Sequence, residues 1–354
     1  MFSILDRYIG KTILNTIGIT LFLLVSLSGI IRFIEQLRRL KADYDALNAA
    51  FFSLLMIPKD LEVFTPIAAL LGALIGLGML ASKSELVVME TSGFNRLQIA
   101  KSVIKTAIPL ILLVMAIGEW VAPISEQAAR NIRSEKLYGG SLIVSKNGIW
   151  AKDGKDYVYI GQVKSTTELT NVNIFTVDNN KLISITHAAV ATFVDDHWQL
   201  LQVEMNDLTN QAQIQGNNLL SKTWESSISP DKLNIVSQDP RSLSAFGLYK
   251  YAQYLQSSAQ DDSYYRLLFW QKVLKPISVA VMMLLALSFI FGPLRSVSTG
   301  VRIVTGITFG FIFYIADNLF SQISIVVGLP PIIGALLTSL TFLAISFYLL
   351  KKRR

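Results

Sequence analysis

The sequence contains no cysteine and only two histidines among its 354 residues. The absence of cysteine excludes disulfide bonds and thiolate metal sites, although it leaves the cellular compartment open. The histidines, His187 and His197, lack the helical His-x-x-x-His spacing, so we predict no metal site. No HExxH motif and no nucleophile elbow occur either. We therefore expect no catalytic residue, and no cofactor bound by this chain.

Charged residues are also scarce. They make up 16% of the chain, whereas a soluble domain usually carries about 25%. The deficit comes from several long stretches that have almost no charge and are separated by a polar middle, a pattern typical of membrane spans. The formal net charge is +7, but the basic residues are not interleaved with aromatic ones as in nucleic-acid-binding segments. We expect a membrane and no nucleic acid as a partner.

Six apolar windows are long enough to cross a bilayer as helices, which takes about 20 residues. They cover residues 12–33, 61–80, 99–121, 267–291, 301–320 and 331–350. No small-residue cleavage site follows the first window, so we interpret it as a retained span and not as a signal peptide. The predicted organisation is three spans, a polar block over 122–264, and three further spans.

Lysine and arginine predict the orientation, because cytoplasmic loops of membrane proteins carry an excess of both. With both termini in the cytoplasm, the inside segments hold the basic residues at positions 7, 11, 83, 96, 101, 105, 295, 302 and 351–354. The polar block then lies in the periplasm of a bacterium, and the inner membrane is the expected location. The loop after the first span departs from the rule, since Arg38, Arg39 and Lys41 would lie outside.

The polar block has the pattern of an antiparallel β domain. Candidate strands cover 148–152, 156–163, 172–177, 182–194 and 198–205, with a weaker one around Trp224. Asp153-Gly154 is a type I′ hairpin signal between the first two strands. Short strands at this spacing predict a sandwich or jelly roll. After Asp239-Pro240 the pattern changes to an amphipathic helix over 242–256.

Ionisable residues gather at the outer ends of the predicted spans. They are Arg32, Glu35, Arg38 and Arg39 after the first, Lys59, Asp60 and Glu62 at the start of the second, Glu119 at the end of the third, and Asp317 in the fifth. Charges near a bilayer are costly, so they usually mark a pathway or pair internally. Internal pairs, such as Arg32 with Glu35, remain one interpretation. For the group we favour a site for an anionic headgroup, because guanidinium forks match phosphate oxygens.

The connection between the second and third spans predicts a short separate helix. Ser82 fits the N-cap of a capping box and Glu85 fits its N3 position, and Gly93 offers a C-terminal stop. Leu86 and Met89 would share one face. Glu85 either caps this helix and does nothing more, or docks it into a cytoplasmic motor.

Two small-residue motifs lie within the second and fifth spans, Gly72-x-x-x-Gly76 and Gly306-x-x-x-Gly310. Glycines four residues apart lie on one face of a helix and allow a second helix to approach closely. The motif is frequent in glycine-rich spans, so its signal for packing is weak.

Six stretches distributed over the chain resemble one known family. They are LDRYIGKT at 5–12, SLSGIIRFIEQL at 26–37, ALLGALIGLGMLASKSELVVMETSGF at 69–94, IGEWVAP at 117–123, AVMMLLALSFIFGPLR at 280–295 and PPIIGAL at 330–336. Together they resemble the lipopolysaccharide export permeases, and the G-type subunit more closely than its F-type paralogue. The resemblance implies an α-helical membrane protein with six transmembrane helices and an inserted periplasmic β-jellyroll domain. The implied boundaries are 1–137, 138–264 and 265–354.

The resemblance also implies a function. The chain would be a non-catalytic permease subunit of an ABC transporter that extracts lipopolysaccharide from the outer leaflet of the inner membrane. Its implied partners are an F-type permease paralogue, a cytoplasmic ATPase homodimer that binds the ATP, a C-type bitopic protein and a periplasmic β-jellyroll bridge protein. Two rivals remain. A membrane enzyme that modifies lipid headgroups is disfavoured by the missing motifs, and a passive scaffold predicts lipid movement independent of ATP.

The same resemblance assigns roles to residues. Lipid phosphates would meet Arg32, Arg38, Arg39, Lys59, Arg130 and Arg133, and the lipid cavity would include Glu35 and Phe64. The coupling helix would fall on 82–94, with Glu85, Leu86 and Met89 at the ATPase contact. On the first span the family commonly has lysine where this chain has arginine, which keeps the charge but changes the hydrogen-bonding geometry.

Overall fold

The computed structural model describes residues 4–41, 43–138, 149–165, 167–178, 181–209, 215–226, 228, 239–257, 260–294 and 297–351. The helices are α1 (Ile4–Leu37), α2 (Ala46–Leu55), α3 (Ile57–Ser82), α4 (Glu85–Thr91), α5 (Arg96–Ala116), α6 (Ala122–Tyr138), α7 (Ala245–Ser257), α8 (Ser263–Phe291), α9 (Thr299–Val326) and α10 (Pro331–Lys351). The strands are β1 (Ile149–Asp153), β2 (Asp156–Ser165), β3 (Glu168–Asp178), β4 (Lys181–Val194), β5 (His197–Asp207) and β6 (Gln215–Trp224). The predicted basic residues at 295 and 352–354 lie outside these ranges.

Six helical stretches of the described chain are long and apolar enough to cross a membrane, as predicted. The largest difference concerns the third, which was expected to end at residue 121. There the helix passes through a π-helical segment, Ile117–Val121, and continues as α6 for a further 17 residues. The start of the predicted polar block is therefore helical, because the polar side chains of α6 find partners on neighbouring elements.

The helix α3 lies at the centre of the bundle. In its most apolar window 72% of the residues are buried, against 11% in α1 and 17% in α9. A Cβ atom at Gly72 would lie 2.5 Å from Cα of Ile17 on α1, and Thr16 Oγ1 donates to the Gly72 carbonyl at 2.7 Å. On α9, a Cβ at Gly306 would lie 2.6 Å from the Leu71 side chain. Both small-residue motifs are thus confirmed as helix contacts.

The six strands form one antiparallel sheet in the order β1 to β6, which confirms the inserted β domain. The first turn lies one residue later than predicted, since Asp153 pairs with Asp156 and leaves Gly154 and Lys155 as the loop. Of these two, only Gly154 has a positive φ, at 59°. The turn is therefore not of type I′, which needs a positive φ at both central residues.

In four neighbouring strands, one extra residue interrupts the alternation of buried and exposed side chains at the same level of the sheet. We call this interruption the step. Buried residues otherwise alternate, but here they are three positions apart: Ile160 and Val163, Leu169 and Val172, Ala188 and Ala191, and Leu200 and Val203. Within the step, Asn171 and Gln202 have positive φ angles of 57° and 52°. A Cβ at Gly161 would lie 2.8 Å from Asn171 Nδ2, so glycine makes room for that side chain. An extra residue increases local twist, and the sheet thereby curves around its own core.

The β domain and the helical bundle have separate hydrophobic cores. The β core consists of strand residues together with Ile228, whose carbonyl accepts a 2.7 Å hydrogen bond from Trp198 Nε1. The chain leaves the bundle through α6 and returns through α7, where Leu248 packs against Leu268 of α8. The predicted returning helix begins later than expected, after a 3₁₀ turn at Pro240–Ser242. We call the end of the bundle that adjoins α6 and α7 the β-domain end, and the opposite end the α4 end.

Candidate functional site

The first turns of α3 carry three ionisable side chains that contact three other helices. They are Lys59, Asp60 and Glu62, which we call the α3 hub. Pro58 precedes them at the start of the helix, where its missing N–H is not needed, and a carboxylate in the first turn favours the positive end of the helix dipole. Successive residues of a helix are turned by about 100°, so each hub residue faces a different neighbour.

Asp60 connects the hub to α1. Both of its carboxylate oxygens accept hydrogen bonds from Arg32, at 2.7 Å from Nη1 and 2.6 Å from Nη2. Asp60 is 4% exposed, and the Arg32 side chain is 18% exposed. The sequence left internal pairing open, with Glu35 as the example, and Arg32 does pair within the chain, but with Asp60 across the helix interface. Glu35 is exposed.

Lys59 connects the hub to α6. Its Nζ lies 2.8 Å from Oε1 of Glu126, a residue that is 1% exposed. Glu126 also accepts two hydrogen bonds from Arg130, one turn later on the same helix, at 3.1 and 2.6 Å. Arg130 in turn lies 3.3 Å from Asp239, on the chain that returns from the β domain. One buried carboxylate therefore holds two of the predicted phosphate-binding cations.

Glu62 connects the hub to α8. Lys272 and Lys275 each place Nζ 3.6 Å from one of its carboxylate oxygens. Lys272 also donates to the carbonyl of Gly118, at 3.2 Å, in the π-helical segment. A Cβ at Gly118 would lie 3.0 Å from the carboxyl carbon of Glu62, so glycine permits this close contact. Rare π-helical turns occur often at functional sites.

Glu119, the next residue of the π-helical segment, caps α7. Its carboxylate accepts hydrogen bonds from the backbone N–H groups of Ala245 and Phe246, at 2.8 and 3.1 Å. A carboxylate at a helix N-terminus satisfies unpaired N–H groups and interacts favourably with the helix dipole. The third span and the returning chain are thereby fastened together.

Three of the residues predicted to bind lipid phosphate lie outside the hub. Arg38 and Arg39 are exposed and form no ion pair with any residue that the structure describes. Arg133 lies over the ring of Phe52 on α2, 5.0 Å from its centroid, a cation–π distance. Burial raises the pKa of the Tyr44 hydroxyl, and the nearby charges of Arg133 and Arg39 act in the opposite direction. Arg39 and Arg133 therefore both lie near the buried Tyr44.

Two of the cavities near the hub differ sharply in their lining. One, of about 430 Å³, lies between α3, α8 and α9 and has a mixed lining that includes Asp317 and Lys275. The other, of about 690 Å³, lies between α1, α2 and α3 and is lined almost entirely by apolar side chains such as Phe33 and Leu61. We call the second one the apolar recess. Phe64 lines neither, because its half-buried side chain packs against the bundle core.

The predicted short helix is present as α4, but it begins differently from the prediction. Glu85 is its first residue and not its N3 residue, and Ser84 before it has a left-handed φ of 61° with no side-chain cap. Ser82 still belongs to α3 and donates to the Met79 carbonyl at 2.9 Å. The capping box is therefore wrong. Because α3 stays helical through Ser82, only two residues remain to reverse the chain.

The end of α4 agrees with the prediction. Gly93 has a φ of 94°, its N–H donates to the Glu90 carbonyl at 3.1 Å, and the Phe94 N–H donates to the Met89 carbonyl at 3.1 Å. This pair of bonds is the Schellman arrangement, in which glycine takes the left-handed position.

The predicted shared face of α4 points inward. Leu86 is 4% exposed, and Met89 packs beside it against the bundle core. The outward side chains are Val87, Val88 and Thr91. Leu86 and Met89 therefore fix the helix on the bundle and do not form its outer surface.

Two polar contacts fasten the ends of α4. At its start, the Tyr8 hydroxyl of α1 donates to Glu85 Oε2 at 2.7 Å. Near its end, Arg96 of α5 donates to Glu90 Oε1 at 3.0 Å, and the Arg96 guanidinium lies 5.4 Å from the centroid of the Phe291 ring on α8. A displacement of α4 would therefore act directly on α1 and α5, and on α8 through Arg96.

Comparison with known proteins identifies the family. The family described as the lipopolysaccharide export system permease LptF/LptG matches residues 7–352. The chain belongs to the LptF/LptG family. It is 56% identical to the lipopolysaccharide export system permease protein LptG of Escherichia coli (strain K12) over 356 residues, covering 99% of both chains. It is 50% identical to the protein of the same name from Haemophilus influenzae over 358 residues, covering 100% of both.

Membership of the LptF/LptG family confirms the resemblance found in the sequence, and with six apolar helices it makes the chain a multi-pass membrane protein. The relatives are named LptG, in agreement with the expected G-type subunit. The roles of individual residues in this family member stay predictions. The structure brings Arg32, Lys59 and Arg130 together at the hub, already paired, and leaves Arg38 and Arg39 exposed.

Several hub partners in this LptF/LptG family member were not predicted. Lys272 and Lys275 lie within the fourth apolar window, where two lysines one turn apart are a visible signal of a buried polar contact. Glu126 gives a weaker signal, since its only sequence cue is the i, i+4 spacing to Arg130.

Proposed function

We propose that this chain is the G-type permease subunit of an ABC transporter that extracts lipopolysaccharide from the outer leaflet of the inner membrane and passes it to a periplasmic bridge towards the outer membrane. The observation that carries this proposal is a cluster of cationic side chains at the β-domain end, directly beside the apolar recess of about 690 Å³. A lipid with several acyl chains and phosphate groups needs both surfaces at once.

The proposed orientation places the β domain in the periplasm and α4 in the cytoplasm. Lysine and arginine residues near the α4 end, including Lys83, Arg96 and Lys101, support it through the positive-inside rule. The cations of the β-domain end then lie at the level of the outer leaflet, where lipopolysaccharide phosphates are expected.

The energy for extraction comes from outside this chain in our proposal. Moving acyl chains out of a bilayer costs about 0.8 kcal/mol per CH₂ group, so a lipid with several chains does not leave spontaneously. A cytoplasmic ATPase homodimer binds and hydrolyses the ATP, and its movement reaches the spans through α4. The outward side chains Val87, Val88 and Thr91, together with Glu85 at the first turn, supply the docking surface.

The other membrane partner is an F-type paralogue. The apolar side chains that α1 and α9 expose support this pairing, since few residues of either helix are buried within this chain. On α1 and α9 they include Phe22, Leu23, Val304 and Phe311, between 61% and 70% exposed. Lipid enters between α1 of this subunit and the fifth span of the paralogue. A C-type bitopic protein joins through its helix, and the bridge protein receives the lipid from the β domain.

Arg38 and Arg39 make the first phosphate contacts in this proposal. They are exposed at the end of α1 and are not engaged by described carboxylates. Arginine binds phosphate through two parallel hydrogen bonds, which combine charge with a defined geometry. Arg32, Lys59, Arg130 and Arg133 lie further in and engage the lipid later.

The test is charge reversal of the exposed pair, Arg38→Glu with Arg39→Glu. Because two attractive contacts become repulsive, we expect lipopolysaccharide recovered with the purified complex to fall by about tenfold, equivalent to about 1.4 kcal/mol. The matched control is Lys164→Glu with Lys181→Glu, which makes the same charge change on the β domain. Native mass spectrometry of the complex in mild detergent measures both the lipid and the subunits.

Unchanged lipid recovery in the Arg38 and Arg39 variant, with all subunits present, would contradict the proposal. The mass of the recovered lipid and its dependence on ATP separate the rivals. A modified headgroup would indicate an enzyme, and lipid release that does not depend on ATP would indicate a scaffold.

A further inference from the structure

Three of the predicted phosphate-binding cations, in the hub or in contact with it, are already paired with carboxylates of the same chain. Arg32 pairs with Asp60, Lys59 and Arg130 pair with Glu126, and Arg130 also reaches Asp239. Both Nη groups of Arg32 are engaged at 2.6 and 2.7 Å. An anion cannot bind this guanidinium fork in full unless Asp60 leaves it.

The fork of Arg32 presents the same geometry to a phosphate as to a carboxylate. Each accepts two parallel N–H···O bonds, and phosphate offers a further oxygen and comparable or greater charge. Exchange of one for the other therefore requires no new arrangement of the arginine itself. The displaced carboxylate, however, is only 4% exposed. A buried carboxylate without its partner is strongly unfavourable unless the surrounding elements move and admit water.

The pair between Arg32 and Asp60 is one of two polar contacts that join α1 and α3 within the described residues. The other is the bond from Thr16 to Gly72 at 2.7 Å, 16 residues earlier along α1, or about 24 Å away. At that level α1 and α3 are in close backbone contact, since a Cβ at Gly72 would lie 2.5 Å from Ile17 Cα, and close packing is added to the hydrogen bond. The contact at Gly72 is thus a fixed point, and the pair with Asp60 holds the far end of α1.

The apolar recess lies between these two points. Its lining includes Val25 and Phe33 of α1 and Ile57 and Leu61 of α3. When the far end of α1 moves away from α3, the recess between them widens. Release of one ion pair therefore enlarges the surface that receives acyl chains.

We propose that lipid phosphate and Asp60 compete for Arg32, so that binding of the lipid releases α1 from α3 and opens the apolar recess. Asp60 is a positioning residue that keeps the subunit closed when no lipid is present. Glu126 acts in the same way on Lys59 and Arg130, and holds α6 against α3. This inference rests on the proposed function, because it assumes a phosphorylated lipid as the ligand.

The test uses Asp60→Asn in the complete transporter complex, reconstituted in nanodiscs. The probe is bisphosphorylated lipid A, with dephosphorylated lipid A as the reference ligand. Because asparagine does not compete for the guanidinium with a full charge, we expect the variant to bind the phosphorylated probe about fivefold more tightly than the unaltered chain. Affinity for the dephosphorylated probe stays the same.

The matched control is Asp43→Asn. Asp43 is exposed in the loop after α1 and forms no ion pair with a described residue, so its substitution makes the same charge change without releasing Arg32. We expect less than a twofold effect on affinity. The conservative variant Asp60→Glu keeps a carboxylate and is expected to restore most of the original affinity.

A second measurement follows the movement itself. Spin labels at Ile34 on α1 and Asn131 on α6, both exposed, report the separation of the two helices at the β-domain end. Phosphorylated lipid A lengthens or broadens this distance distribution in the unaltered chain. The Asp60→Asn variant shows the lengthened distribution before lipid is added. If that variant does not assemble, Glu126→Gln tests the same exchange with the same expected sign.

The outcomes separate this inference from the proposed function. If the unaltered complex does not prefer the phosphorylated probe, the proposed function fails. If it does prefer that probe but Asp60→Asn binds it equally or more weakly, only the competition is overturned. An equal gain in Asp43→Asn also overturns it, because the effect would then be one of general charge.

Discussion

The β domain and the β-domain end of the bundle both contain charged residues, but the two regions use them differently. In the β domain, Lys155 pairs with Asp178 and Lys164 with Glu168, and the lysine side chains are 71% and 57% exposed. The core beneath them is apolar. At the β-domain end of the bundle, by contrast, the carboxylates of Asp60 in the hub and of its neighbour Glu126 on α6 are almost completely buried.

The two regions are therefore stabilised differently, one by apolar burial and the other by buried ion pairs between helices. Exposed ion pairs contribute about 0–1 kcal/mol each, so the β domain depends on apolar burial and on the curvature of its sheet. A buried ion pair gains little relative to apolar packing, yet removal of one partner is strongly destabilising. The charges of the hub therefore decide which helices stay together, and single substitutions there have large effects.

The largest effect is expected from Glu126→Ala, which leaves Lys59 and Arg130 facing each other without their shared carboxylate. Loss of one partner of a buried pair costs about 3–5 kcal/mol, and partial exposure of both cations places this case near the lower value. Thermal unfolding of the complex in detergent measures the loss. A midpoint unchanged from that of the unaltered protein would show that the hub does not hold these helices.

A smaller effect is expected in the β domain from Gly161→Ala. The new Cβ would lie 2.8 Å from Asn171 Nδ2 and 2.9 Å from Asn171 Cβ, so the step across the sheet has to adjust at a cost of about 1 kcal/mol. Hydrogen exchange in the full chain should become faster in β2 and β3 and stay the same in α3. Gly29→Ala on α1, where the added Cβ has no atom within 4 Å apart from its chain neighbours and the backbone of its own helix, is the control.

The smallest effect is expected from Lys155→Ala. The hydrogen bond to Asp178 and the charge of that carboxylate raise the pKa of Lys155, but the pair is exposed and screened by salt, so we expect its removal to leave the free energy of unfolding nearly unchanged. Hydrogen exchange at the turn between β1 and β2 measures this. A clear acceleration there would show that surface charge contributes more to the β domain than we infer.

The sequence predicts the fold of this protein well because hydropathy reports each span independently of the others. Each strand is likewise bounded by local turn residues, although the step across the sheet depends on register between strands and is not visible in any one of them. Asn171 is the nearest local cue, since asparagine tolerates positive φ. The π-helical segment around Gly118 leaves no comparable signal.

The site is predicted less completely, because the pairs of its charged residues depend on tertiary contacts. Sequence spacing offers Glu35 to Arg32, one helical turn away, whereas the folded bundle offers Asp60 from another helix. The sign of each charge can be read from the sequence, but not which cation pairs with which carboxylate. Similarly, Ser82 fits an N-cap by its spacing to Glu85. It does not cap α4, because α3 continues through Ser82.

The π-helical segment and α6 have a consequence for how the β domain is attached. Glu119 fastens the start of α7 and Arg130 fastens Asp239, and these two anchor points are 11 residues, or about 16 Å, apart on one continuous helical rod. The helix that leads to the β domain therefore also holds the segment that returns from it. A rotation of that helix about its own axis would therefore move the start of α7 and Asp239 together.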